Sequence, residues 1–173
     1  RHNLAATRFQ LGDLAGARDL QESVLAGRLR TLPEDHADVQ RARFNLGNTR
    51  YRLEDVQQAR TLFTQVLEAC ARTPAEDPTI LQQAREGLVL VKQALGDLDG
   101  ARVLQEQVLA EYARTLPAEH PLILSVQQNL GVLSYKLGDL TTARTIQERV
   151  LAARTATLPD DHLELQYARA NLA

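Results

Sequence analysis

The sequence predicts an all-α solenoid of antiparallel helix pairs, and three observations carry the prediction. The chain repeats itself every 42 residues, each repeat is cut twice by helix-breaking residues, and apolar residues between the cuts recur at helical spacing. The repeats run 3–44, 45–86, 87–128 and 129–170, with the start of a fifth at 171–173. Eight positions are identical in all four: Leu4/46/88/130, Leu11/53/95/137, Asp13/55/97/139, Ala17/59/101/143, Arg18/60/102/144, Val24/66/108/150, Leu25/67/109/151 and Thr31/73/115/157. Chance does not place eight fourfold identities in one register.

Each repeat opens with the body of a first helix, expected at 1–11, 37–53, 78–95, 121–137 and 162–173. In the segment 37–53, Val39, Ala42, Leu46 and Leu53 follow steps of three, four and seven. Gly12-Asp13, Gly96-Asp97 and Gly138-Asp139 then supply a helix stop and the cap of the next helix, with Glu54-Asp55 in repeat two. The second helix, for instance 55–73, puts Val56, Ala59, Leu62, Val66 and Leu67 on one face. The second cut is Leu32-Pro33-Glu34-Asp35-His36, echoed by Leu116-Pro117-Ala118-Glu119-His120 and Leu158-Pro159-Asp160-Asp161-His162; repeat two reads Pro74-Ala75-Glu76-Asp77-Pro78. One pair cannot bury its own apolar stripe, so neighbours must stack. The chain starts and stops inside first helices, without an initiating Met or a polar capping helix. It therefore reads as a piece of a longer array, whose apolar ends should favour end-to-end self-association.

Composition narrows the function. Of 173 residues, 44% are hydrophobic and 24% charged, with a net charge of −2, which disfavours a strongly basic nucleic-acid binder. No apolar run approaches a membrane span of about 20 residues. The lone Cys70 excludes an internal disulfide and suits a reducing, cytoplasmic setting. Eighteen arginines against two lysines hint at a GC-rich bacterial genome.

Asn45-Leu46-Gly47, Leu53-x-Asp55-Val56-x-x-Ala59-Arg60 and Val66-Leu67, with Leu116-Pro117-Ala118-Glu119-His120-Pro121, resemble the 42-residue tetratricopeptide repeats of kinesin light chains. They are closer still to bacterial arrays attached to signal-transducing nucleotide-binding or protease domains. A HEAT-like array shares the period of about 40–47 residues; the Gly-Asp turn and the Ala four residues after its Asp favour the tetratricopeptide reading. The resemblance implies a right-handed superhelix whose concave face, lined by first helices, binds peptides or protein segments. The chain departs from the family where Arg43, Arg85, Gln127 and Arg169, and again Arg8, Arg50, Lys92 and Ser134, replace large apolar residues. Packing between helices should there be looser or more ionic.

On a helical wheel, the first-helix face opposite the core carries Asn3, Asn45, Gly87, Asn129 and Asn171 at one recurring position. Neighbouring positions carry Arg41, Gln83, Ser125 and Tyr167; Phe44, Glu86, Gln128 and Ala170; Ala6, Asn48, Leu90 and Val132; Phe9, Tyr51, Gln93 and Tyr135; and Gln10, Arg52, Ala94 and Lys136. Asparagine is a mediocre helix former, so its return implies that its amide is wanted, and an amide can both donate to and accept from a peptide backbone. The resemblance carries that contact onto Asn3, Asn45 and Asn129, while Gly87 breaks the ladder. The competing reading is that these asparagines bond neighbouring helices. Phe9, Phe44, Tyr51, Tyr135 and Tyr167 also map to the groove side, as interface anchors beside arginine or as padding between first helices. The expected partner site is Asn3, Arg41, Phe44, Asn45, Asn48, Tyr51, Arg52, Asn129, Tyr135 and Lys136. The first-helix segments hold ten Lys/Arg and three Asp/Glu, a charge of +7 that leaves −9 elsewhere, so acidic segments should be steered inward.

Chemistry other than binding finds little support. Asp13, Asp55, Asp97 and Asp139 read as helix caps. Arg18–Glu22, Arg102–Glu106 and Arg144–Glu148 read as solvated pairs. His36, His120 and His162 lie in different repeats, at least one helix spacing of about 8–10 Å apart, too far to share a metal, and read as residues that cap or pack. Cys70 reads as an ordinary small side chain. No phosphate loop, His-Glu-x-x-His or Gly-x-Ser-x-Gly motif is present, so neither catalysis nor a cofactor is expected. Two functions remain: a scaffold that binds a protein segment in its groove, or a structural or sensor array whose intramolecular contacts restrain an attached effector.

Overall fold

The computed structural model describes residues 2–73 and 78–172. Its described residues form nine helices and no strand: α1 (His2–Gln10), α2 (Leu14–Thr31), α3 (Ala37–Arg52), α4 (Val56–Arg72), α5 (Pro78–Ala94), α6 (Leu98–Tyr112), α7 (Pro121–Lys136), α8 (Leu140–Thr157) and α9 (Leu163–Leu172). Odd-numbered helices are the first helices of their pairs. The chain divides into two compact units, residues 1–96 and 97–173. In unit 1, α1 packs on α2, α2 on α3, α3 on α4, α4 on α5, and α3 touches α5 directly. In unit 2, α6, α7, α8 and α9 pack in succession. The second cut of repeat two, 74–77, lies outside the described residues.

The turns follow their residue chemistry. Asp13, Asp55, Asp97 and Asp139 each cap a second helix by accepting the amide N–H three residues on, at Gly16, Gln58, Gly100 and Thr142. The residue before the capping Asp adopts the left-handed region: Gly12, Gly96 and Gly138 sit at φ 79 to 82°, and Glu54 takes the same conformation at φ 62°. Only Glu54 carries the Cβ penalty there. At the second cut, Leu32 and Leu158 are extended, as the following proline requires. The histidines are caps: Nδ1 of His36, His120 and His162 accepts the N–H of Asp38, Leu122 and Glu164 at 3.1, 3.3 and 3.3 Å.

The core of unit 1 centres on Phe63 of α4, which is 1% exposed, with Ala59, Val66, Ile80, Ala84 and Val91. Burying a phenylalanine is worth about 1.5–3 kcal/mol. Phe63 reaches α3 and α5 because both present glycine: a Cβ on Gly47 would lie 2.8 Å from its ring, and one on Gly87 would lie 2.6 Å away. In unit 2, Val108, Val126 and Leu130 form the corresponding packing, with Leu109, Tyr112 and Ile146 against it.

Four of the five arginines that replace apolar residues are used ionically. Arg50 binds the capping Asp55 at 2.7 Å and also Glu22 of α2, and Arg8 meets Asp13 at 3.4 Å. Arg43 is buried and donates to the Glu34 carbonyl at 3.3 Å; Arg169 does the same to Asp160 at 3.4 Å and pairs with its carboxylate at 2.7 Å. Guanidinium groups therefore tie the turns to the first helices. The expected Arg18–Glu22 pair does not form, since Glu22 goes to Arg50 and Arg18 pairs with Asp19 at 2.8 Å. Arg144–Glu148 forms at 2.8 Å, and Arg102–Glu106 at 4.0 Å.

Candidate interaction groove

Three first helices of unit 1 leave a groove of about 570 Å³, lined by the second half of α1, the middle of α3 and the first half of α5. From α1 come Ala5, Ala6, Phe9 and Gln10; from α3 come Arg41, Phe44, Asn45 and Asn48; from α5 come Thr79, Ile80 and Gln83; Gln21 of α2 forms the floor. The 3.6-residue period explains the set on α3, since residues 41, 44, 45 and 48 share one helix face.

Four expected site residues, Arg41, Phe44, Asn45 and Asn48, thus come together here. The Asn45 carbonyl is engaged by the Thr49 hydroxyl at 3.1 Å, whereas neither the Asn45 nor the Asn48 amide bonds a described residue. These two amides do not serve as ties between helices. Phe44 has two roles, lining the groove and packing 6.0 Å from the Phe63 ring centroid at a 47° tilt. Arg52 stacks its guanidinium 4.8 Å from the ring centroid of Phe9, which brings a cation to the groove's α1 wall. Arg41 also contacts Asp38 at 3.7 Å.

The remaining expected residues lie elsewhere. Asn3 is exposed on α1 outside the lining set, its carbonyl accepting from Thr7 at 3.0 Å. Tyr51 is half-buried against the Phe63 core and does not line the groove. In unit 2, Asn129 and Lys136 are exposed on α7. Tyr135, 65% exposed, lines a hollow of about 710 Å³ with Val132, Leu140, Gln147 and Asn171. The first-helix charge of +7 is only partly groove charge, because Arg8, Arg43, Arg50 and Arg169 are paired at turns or with second helices.

The sequence reading missed Gln21, which is 8% exposed and whose Oε1 has no hydrogen-bond partner. The available signal was its recurrence at whole repeat periods, as Gln105 and Gln147, both also buried. Burial raises the Cys70 thiol above its ordinary pKa, which keeps it protonated and a poor nucleophile. Among the described residues, no three His, Cys, Asp or Glu groups could hold a metal ion, and no helix is long and apolar enough to cross a membrane.

Comparison with known proteins agrees with this architecture. The tetratricopeptide repeat family model matches residues 1–72 and 81–156. The nearly identical TPR-like repeats of a candidate kinesin light chain from Podosopora anserina superpose with a TM-score of 0.84 at 31% identity, covering 99% of this chain and 81% of theirs. A glutamine-to-methionine variant of those repeats gives 0.85 at 30% identity with the same coverage. BtubC (BKLC) from P. vanneervenii shares the fold, with a TM-score of 0.80 at 24% identity over 98% of this chain and 67% of that one. No curated protein sequence matches the chain. Repeat period, helix pairing, family model and solved structures agree: the chain belongs to the tetratricopeptide repeat family, in its kinesin-light-chain-like form.

Proposed function

We propose that this array is a non-enzymatic, cytoplasmic scaffold that holds an extended segment of a partner protein in the unit 1 groove. Proteins of this repeat family mediate protein–protein interactions. One observation carries the finer reading: Asn45 and Asn48, whose amides make no bond to a described residue, line one groove together with Phe9 and Phe44. Each amide offers a donor and an acceptor, the complement of a peptide group in an extended chain. Rigid rings supply contact area at low entropic cost. Arg41 and Arg52 favour a segment bearing carboxylates, an attraction that salt weakens.

The test is selection of a displayed random-peptide library on the full chain and on the Asn45→Ala/Asn48→Ala variant. The reading expects enriched peptides that share a motif, and loss of that enrichment on the variant, whose helical circular dichroism stays unchanged. Equal enrichment on both proteins would move the site away from the amides. No enrichment on folded wild-type chain would leave an array restraining an attached effector through intramolecular contacts.

A further inference from the structure

The break in the asparagine ladder has a structural cause. The residue 24 positions before each ladder residue lies on the preceding second helix. Before Asn45, Asn129 and Asn171 it is Gln21, Gln105 and Gln147; before Gly87 it is Phe63. Phe63 occupies the space that a side chain at 87 would need, with its Cζ 2.6 Å from where a Cβ would stand. The same ring lies 2.8 Å from where a Cβ on Gly47 would stand and is buried in the unit 1 core, so it has little room to retreat. A flexible glutamine demands less: at the position equivalent to Gly47, a Cβ on Gly131 would meet the Cγ of Gln147 at 3.1 Å rather than 2.8 Å, and the ladder residue paired with Gln147 is Asn171. The chain thus uses two matched sets, Gln with Asn and Phe with Gly.

This difference falls at the edge of the groove. On α5 the lining stops at Thr79, Ile80 and Gln83, and Gly87 is buried without an amide to offer. We propose, building on the groove function above, that Phe63 ends the amide ladder and so fixes the bound segment at about six residues. Adjacent helix axes lie about 8–10 Å apart. If both steps from α1 over α3 to α5 take that spacing, the crossing spans two such intervals, and an extended chain advances about 3.3–3.4 Å per residue. About five to six residues cover that distance, and within unit 1 no amide rung follows Asn45.

The native set Gly131, Gln147 and Asn171 shows what would restore the rung: with Gly47 already present, Phe63→Gln/Gly87→Asn recreates it in repeat two. The experiment pans displayed random libraries of six and twelve residues in parallel on the full wild-type chain and on that variant. Wild type is expected to enrich both libraries to within about threefold, with a consensus in the longer peptides no wider than six contiguous positions. On the variant the consensus should widen, and twelve-residue peptides should out-enrich six-residue ones at least fivefold. The reverse transplant, Ala5→Gly/Gln21→Phe/Asn45→Gly, should remove the motif while preserving helicity, which keeps the idea testable if the first variant folds poorly. A wild-type consensus of ten or more positions would overturn the proposal and leave the groove reading standing. So would an unchanged footprint on a well-folded Phe63→Gln/Gly87→Asn chain. No enrichment from either library on folded wild type would instead remove the groove reading, and this proposal with it.

Discussion

Two junctions within unit 1 solve one packing problem in opposite ways. Where α2 meets α1 and α3, Gln21 sits beneath Asn45, nearly buried and with an unpartnered Oε1. Where α4 meets α3 and α5, Phe63 is enclosed by Gly47 and Gly87, with Phe44, Tyr51 and Leu88 around it. The first junction spends stability on a buried amide and keeps a polar groove face. The second gives up the amide and forms the hydrophobic centre of the unit. Equivalent positions in a repeat array therefore need not share a task, and the pairing of two positions 24 residues apart reveals which task each repeat performs.

The largest expected effect bears directly on that contrast. Phe63→Ala should lower unfolding free energy by about 3–5 kcal/mol, as large-to-small core changes do. Gln21→Leu should raise it by roughly 1 kcal/mol, because it removes a buried unsatisfied acceptor. Urea unfolding of the full chain measures both, and like-signed effects would break the comparison. Next in size, Gly87→Ala should cost about 1–3 kcal/mol through overpacking against the ring. Gly131→Ala should stay near neutral, since alanine's helix propensity advantage of about 1 kcal/mol offsets a contact that Gln147 can relieve by moving. Equal losses at both glycines would mean that the rigidity of Phe63 is not the cause. A smaller, opposite effect is expected at the turn that introduces α4. Glu54→Gly should stabilise by about 0.5–1 kcal/mol, relieving the left-handed Cβ penalty less glycine's extra entropy in the unfolded chain.

Acid supplies the smallest effect, and one that should not distinguish the junctions. The hydroxyl and amide of Thr142 hold the Asp139 carboxyl below its ordinary value, and the Arg72 guanidinium does the same for Asp35. A carboxyl depressed in the folded state stabilises fully above its unfolded pKa of about 3.9. That contribution disappears as pH falls through the lowered values. Stability should therefore begin to fall near pH ~4 as acid is added, with about 1 M salt reducing the Asp35 share more than the Asp139 share. A loss confined to pH above about 5 would contradict both assignments.

Much of the fold was legible because its signals are local. The Gly-Asp and Leu-Pro cuts located helix ends to within a residue or two: the helix expected at 37–53 spans Ala37–Arg52 with Leu53 as its cap, and the one expected at 55–73 spans Val56–Arg72. The early end of α6 at Tyr112 was less visible. Its last turn carries no basic residue to complement the helix dipole, whereas α2, α4 and α8 end with Arg28 and Arg30, Arg72, and Arg154. The groove was legible for Arg41, Phe44, Asn45 and Asn48 because they share a face of one helix. Tyr51, read either as a groove anchor or as padding between first helices, packs against the Phe63 core, and a wheel drawn for one helix cannot show that contact with the next. Gln21 escaped because a glutamine between Asp19-Leu20 and Glu22-Ser23 reads as a surface residue until its repeats are aligned against the ladder.

The side-chain amides of Asn45 and Asn48 can be watched directly. Their NH₂ resonances, assigned in a ¹⁵N–¹H spectrum of the full chain with the two single alanine variants, should shift on addition of a peptide enriched from the library. The amide of Asn129, in unit 2, should stay in place. Saturating peptide that moves neither the Asn45 nor the Asn48 resonance would contradict the claim that these amides hold the partner segment.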